Sequence, residues 1–386
     1  MKKLIAILAV FALLTTAVFA QADIGAGGTA RAELLKGDSN SDDLGTGFES
    51  WFWVSAKKTN EDNTMGAKGS FSIGMSDGNF SFDPNGGTYF YAWWQPIQQV
   101  FLKVGKVGED GKYWAGAGIL GWDFQSDDLL ISPAFNYYNG FAGSVLGDSH
   151  GFWSAGFNDK RDLQLSILPI DGLAINFGFV FGDLVKSVYG DKLAAQIVYD
   201  IPDLGQAAIG FKNGGENEDK HLYAQYKMPI ANMKIELGLH FPIAPKDGFK
   251  SPFDIGLGFG YGNPWGDTFW LNARIGVAIP MEDGDSTRFG VDINPSYDLG
   301  IFRVYVPVGV ALILPDGGDA LLAWSFNPYI RKQLGGLEFW AGVKLYNGRK
   351  SGAFNDGSGN WYPEVYNKDS QDQVNFSIPI ALQWAW

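Results

Sequence analysis

Residues 375–386 read NFSIPIALQWAW. Taken alternately, Phe376, Ile378, Ile380, Leu382, Trp384 and Trp386 form one set, and Asn375, Ser377, Pro379, Ala381, Gln383 and Ala385 the other. A period of two is the signature of a β-strand, whose successive side chains point to opposite faces. One face here is apolar and ends in tryptophan; the other is small or polar. A strand with a lipid-facing side needs both backbone edges paired, and in a bilayer only a closed barrel provides that.

The same alternation recurs upstream. In 233–242, Ile235, Leu237, Leu239 and Phe241 oppose Lys234, Glu236, Gly238 and His240. In 301–314, Phe302, Val304, Val306, Val308, Val310, Leu312 and Leu314 oppose Arg303, Tyr305, Gly309 and Ala311. In 336–347, Leu337, Phe339, Ala341, Val343 and Leu345 oppose Glu338, Trp340, Lys344 and Tyr346. Tight turn signals such as Pro169-Ile170-Asp171-Gly172, Pro202-Asp203-Leu204-Gly205 and Leu334-Gly335-Gly336 alternate with longer acidic stretches such as 213–220 and 281–287. Strands laid between these marks, including 112–123 and 129–139, make an all-β, transmembrane antiparallel β-barrel of about 20 strands, an even number from 16 to 20. Pro295, Pro307, Pro328 and Pro379 fall inside expected strands, where proline implies bulges or breaks.

Composition agrees with a membrane barrel. The chain has 14 Trp, 16 Tyr and 29 Phe but only 18% charged residues, an aromatic load suited to membrane interfaces. After the first twenty or so residues no apolar run approaches the roughly 18 needed for a spanning helix. The opening MKKLIAILAVFALLTTAVFAQA places Lys2 and Lys3 before an apolar run and a small-x-small site, so 1–22 is expected to be a cleaved signal peptide and 23–386 a single barrel domain. There is no Cys, which removes disulfides and thiolate chemistry. A formal charge of −13 on an exported chain argues against nucleic acid.

Two stretches carry a family resemblance. Residues 89–107, YFYAWWQPIQQVFLKVGKV, combine an aromatic strand, a Trp-Trp-x-Pro turn and a Lys-x-Gly-Lys return. This hairpin resembles porin-type outer-membrane proteins of spirochaetes. The tail Phe376, Ile378, Ile380, Leu382, Trp384 and Trp386 resembles the C-terminal signal by which such barrels meet the barrel-assembly machinery, with Trp where Phe is commoner. The resemblance implies outer-membrane lipid and that machinery as partners.

A barrel of 16 or more strands leaves an aqueous lumen. Alternation starts almost at residue 23, with no room for a plug domain, so the expected function is a porin for passive diffusion of small hydrophilic solutes, with no cofactor and no metal. Pore-lining candidates are Lys103, Lys227, Lys234, Glu236, Arg274, Arg288, Asp292, Arg303, Arg331, Glu338 and Lys344. Their basic excess either favours anions or neutralises nearby carboxylates. Residues 140–161, small and apolar among acidic connections, are the candidate constriction loop, with Ser149, His150, Phe152 and Trp153 at its tip; a strand extension is the plainer reading. Trp51, Trp53, Tyr223, Trp270, Tyr305, Tyr329 and Trp340 fall on the polar phase, either as a sugar-stacking track or as part of an interfacial girdle.

Other classes are weaker. Serine hydrolysis needs a histidine held beside a nucleophile; Ser149-His150 are adjacent on a long connection, a poor working pair, and His221 and His240 have no obvious serine near them in the sequence. The acidic runs 282–285 and 355–360 are turn formers before they are Ca²⁺ ligands. The alternative to a pore is a surface adhesin or structural barrel binding through loops 140–161 and 347–374. The apolar outer face serves lipid or a partner subunit alike, so a homo-oligomer stays open.

Overall fold

The computed structural model describes residues 22–38, 44–76, 79–82, 89–106, 113–115, 162–179, 193–213, 220–244, 253–263, 266–279, 287–314, 317, 319–347 and 374–385. The strands in chain order begin with β1 (Asp23–Asp38), β2 (Gly45–Thr59), β3 (Met65–Ser76), β4 (Asn79–Phe82), β5 (Tyr89–Ile97) and β6 (Val100–Lys106). Then come β7 (Leu163–Ile170), β8 (Leu173–Phe179), β9 (Ala194–Ile201), β10 (Gly205–Asn213), β11 (Lys220–Ile230) and β12 (Met233–Ala244). β13 (Phe253–Tyr261), β14 (Phe269–Ile279), β15 (Thr287–Asp298), β16 (Arg303–Tyr305) and β17 (Val308–Leu314) follow. The last are β18 (Leu321–Phe326), β19 (Tyr329–Leu334), β20 (Leu337–Gly342), β21 (Lys344–Asn347) and β22 (Val374–Ala385).

Every pairing is antiparallel, and the circuit closes where β22 meets β1, with Ala30 opposite Leu382 and Gly28 opposite Trp384. Three staves are broken in two, β16/β17 along β15 and then β18/β19 and β20/β21, and a fourth is described in two segments, β4 and β5 along β3. The 22 segments therefore make 18 staves, within the expected range. β6 pairs directly with β7, Val100 opposite Ile167 and Val104 opposite Leu163. The strand expected at 129–139 lies outside the described residues, as does most of that expected at 112–123. Of the latter, Tyr113–Ala115 is described, as turn and bend.

Turns at one end are short, as their residues demand. Asp171-Gly172 and Gly335-Gly336 close two-residue hairpins, with Gly172 at φ 78° and Gly335 at φ 66°, the left-handed values such turns require. Across the wall the alternation sorts side chains by solvent. Leu237, Leu257, Ile275, Val291 and Val310 are register partners on five successive staves, and all are exposed. Their neighbours Gly238, Gly256, Gly276 and Gly290 form the parallel row on the inner face. Among the described residues the buried hydrophobics form two small clusters on the inner face, and the exposed apolar belt is the outside of the barrel, as lipid-facing strands require.

The interior prolines sit where the wall breaks. Val306-Pro307 separates β16 from β17, and Asn327-Pro328 separates β18 from β19. Val343 separates β20 from β21, and a hydrogen bond bridges each of these three breaks: Val306 N donates to Pro295 O (3.0 Å), Asn327 N to Pro307 O (3.0 Å) and Val343 N to Pro328 O (2.9 Å). Pro379 lies opposite Glu33, beside the β1 register shift.

Candidate functional site

The inner face carries two constructions, one on each side of the barrel. The first is a strap. Tyr113–Ala115 lies against the inner wall formed by β6 to β11. Ala115 N donates to Gln196 Oε1 at 2.8 Å, and Asn176 Nδ2 donates to Tyr113 O at 2.8 Å. Ala115 packs with Ala174, Val198, Ala208 and Tyr223, and Tyr113 packs beside them. The Tyr113 ring meets Phe101 edge-on at 5.3 Å, and its hydroxyl reaches Gln95 Oε1 at 3.4 Å. β8, β9 and β10 accept this strap because Ala174, Val198 and Ala208 leave room on their lumen phase, while Asn176 and Gln196 supply backbone partners. The strap narrows the lumen from the inside.

The second is an aromatic ladder on the far wall. Tyr305 and Tyr329 are register partners on β16 and β19, stacked at 4.5 Å with 8° between ring planes. Trp340 stacks on Tyr329 at 5.4 Å, and Trp270 meets Tyr305 edge-on at 6.1 Å. Tyr305 and Trp340 are 0% exposed. The ladder is thus inward, as the polar phase implied, and its ring faces cover one another. That excludes an open stacking track at these four positions. Tyr223 is elsewhere, stacked on His240 at 5.0 Å. Trp53 is half-buried on the lumen phase against Gly27, and nothing is described of the Trp51 side chain.

The ladder holds the basic candidates at its lower edge. Arg303 and Arg331 are register partners, a like-charged pair that needs compensation. Arg331 Nε donates to Glu338 Oε1 at 2.7 Å, Nη2 donates to the same oxygen, and Nη1 donates to Tyr305 Oη at 3.2 Å. Its guanidinium carbon lies 4.8 Å from the Trp340 ring centre. Arg303 Nη1 donates to Ser296 Oγ at 2.8 Å, Nη2 donates to Asp267 O, and Asp298 lies 3.9 Å away.

The remaining candidates do not gather into a ring of one sign. Lys227 faces Glu236 across β11 and β12, and Arg274 faces Asp292 across β14 and β15. Through Gly258 the four occupy one row around the wall, with signs alternating within each pair. Glu236 is buried and accepts from Gln225 Nε2. Lys103 is 4% exposed, with its Nζ 4.1 Å over the Tyr91 ring. Lys234 is exposed at the turn end. Arg274, Arg288, Asp292 and Lys344 are placed by strand register only. In register, then, Lys227 and Arg274 each stand opposite a carboxylate-bearing residue. Ser149, His150, Phe152 and Trp153, with the rest of loop 140–161, lie outside the described residues, and so do residues 348–373 of loop 347–374. The strap residues Tyr113, Trp114 and Ala115 were not among the sequence candidates, because their alternation with the residues that follow reads as one more strand.

Of the C-terminal set, Phe376, Ile378, Ile380, Leu382 and Trp384 share one phase of β22, Ile378 and Leu382 exposed. Ser377 and Ala381 on the other phase are buried.

No family model and no curated protein matches the chain. Solved structures do. The crystal structure of Pseudomonas aeruginosa OccK5 (OpdH) superposes with a TM-score of 0.53 at 11% identity, covering 94% of this chain and 98% of that one. OmpT of Vibrio cholerae, an outer membrane protein in trimer form, gives 0.49 at 14% identity over 95% and 99%. A mutant of the Rh. blastica porin gives 0.47 at 10% identity over 95% and 100%. The OccK5 likeness, spanning nearly all of both chains, shows a shared fold, the closed antiparallel β-barrel.

Proposed function

We propose that the protein is an outer-membrane porin through which small hydrophilic solutes diffuse passively. The observation that carries this reading is the two-faced closed wall: an exposed apolar belt outside and a polar phase inside, over 18 staves. Barrels of 16 to 18 strands leave a lumen wide enough for water. In this reading 1–22 is the cleaved signal peptide, 23–386 one barrel domain, and the short-turn end the periplasmic one. The resemblance of 89–107 to spirochaete porin-type proteins belongs to the same reading. Selection is by size, set in part by the Tyr113–Ala115 strap, and only weakly by charge, because Arg331 pairs with Glu338 and, in register, Lys227 and Arg274 stand opposite Glu236 and Asp292.

The test is conductance of the refolded protein in a planar bilayer under a salt gradient. Stable steps with a small reversal potential are expected. Protein that is a folded barrel by circular dichroism yet gives no steps would overturn the reading.

A further inference from the structure

Below the strap, at the short-turn end of the lumen, lies a hollow of about 480 Å³. Tyr113 and Trp114 line it from the strap, and Gln95, Asp171, Asp200 and Gln206 from the wall. We propose that it binds a polyhydroxylated solute, a sugar of one or two rings.

The donor and acceptor inventory points there. Among the described residues no Lys or Arg lines the hollow, while Asp171 and Asp200 do, so an anionic solute is opposed. Ionised carboxylates only accept, so the ligand must donate to them. Gln206 Nε2 donates to Asp200 Oδ1 at 2.8 Å, which holds an amide and a carboxylate side by side across β9 and β10. Gln95 is held likewise, its Nε2 donating to Gln98 O at 3.0 Å. Such fixed pairs of acceptor and amide suit neighbouring hydroxyls.

Trp114 narrows the choice. Its side chain is buried, and its indole N–H has no acceptor among the described residues. A buried donor without a partner is costly. A simple ammonium or guanidinium solute, a donor only, can satisfy the carboxylates but offers nothing to that N–H. A hydroxyl does both. The two aromatic side chains supply apolar surface for the C–H face of a sugar ring. The strap is what completes the hollow, so the element that narrows the lumen also builds the site.

As a stop on a transit path the hollow rests on the pore reading; as a binding site it does not. The refolded full chain in detergent is titrated calorimetrically with glucose, maltose and agmatine, a guanidinium and ammonium solute with no acceptor, and conductance is measured separately. Saturable maltose or glucose binding, weakened about tenfold by Asp200→Asn and by Trp114→Phe with the circular dichroism unchanged, is expected. Should Trp114→Phe disturb the fold, Gln206→Leu gives the same reading from the opposite wall. Agmatine binding more tightly than either sugar would replace the proposal with a cation site. Absence of saturable sugar binding overturns it, even if the pore conducts. Sugar binding without conductance keeps the site and sinks the pore.

Discussion

Replacing Glu338 with alanine removes the one carboxylate that Arg331 contacts through two of its nitrogens. The Arg331 and Glu338 side chains are 5% and 12% exposed, so neither is well hydrated. Deleting one partner of a buried pair typically costs about 3–5 kcal/mol, because the other charge stays buried and uncompensated. Arg331 keeps Tyr305 Oη at 3.2 Å and the Trp340 ring at 4.8 Å. A desolvated cation–π contact is worth about 2 kcal/mol, which places the expected loss near the lower figure, about 3 kcal/mol. Urea unfolding from lipid vesicles, followed by tryptophan fluorescence, measures it for wild type, Glu338→Ala, Arg331→Met and the double variant. The double variant is expected to be more stable than Glu338→Ala alone, since the stranded charge is gone. The reversal potential of Glu338→Ala should also move toward anions, because the lumen gains one net positive charge. A loss below about 1 kcal/mol, with the two substitutions additive, is the behaviour of a hydrated pair. It would show that water reaches Arg331 and that the aromatic ladder is not packed around it.

Two further substitutions probe the wall and the strap. Gln196→Leu with Asn176→Leu removes the two 2.8 Å anchors of the strap backbone and should raise single-channel conductance; unchanged steps would mean the strap does not limit the pore. Ile275→Arg, in the exposed row of β14, should cost about 2–4 kcal/mol in vesicles, as arginine does on the lipid face near the bilayer midplane; a loss near zero in the same unfolding assay would move this row out of the hydrocarbon.

The wall was legible because a strand's period is exact and its two solvents differ. Ile275, Leu257 and Leu237 declare one face, and Gly276, Gly256 and Gly238 the other, with no need to know the partner strand. The short turns were legible for a local reason too, since Asp171-Gly172 and Gly335-Gly336 take a conformation few other pairs adopt. Tyr113-Trp114-Ala115 was misread because three residues cannot show whether their neighbour is lipid or the inner wall. What holds the strap is Gln196 and Asn176, far along the chain, and such non-local hydrogen bonds leave no periodic trace. Lumen charges were half legible. The register put Lys227, Glu236, Arg274 and Asp292 on the inner phase, but their pairing depends on the stagger between strands, which alternation alone does not give.

The four interior prolines, the poorest fit to a run of strands, explain the ladder best. Proline cannot donate to the ladder of a sheet, yet Pro295, Pro307, Pro328 and Pro379 stand on β15, in the gaps of the next two staves and on β22, close to one line around the wall. A single proline would tear one stave. Aligned, each break is met by another, and the donors Val306, Asn327 and Val343 find the carbonyls that the line leaves unpaired. Tyr305, Tyr329 and Trp340 lie immediately on the short-turn side of these breaks, and Gly342 keeps the last approach open: a Cβ there would stand 2.6 Å from Tyr329 Cβ. The interrupted strands and the stacked rings are then one feature. The wall gives up regular pairing along a line, and inward stacking of aromatics beside that line restores the contact that the pairing lost.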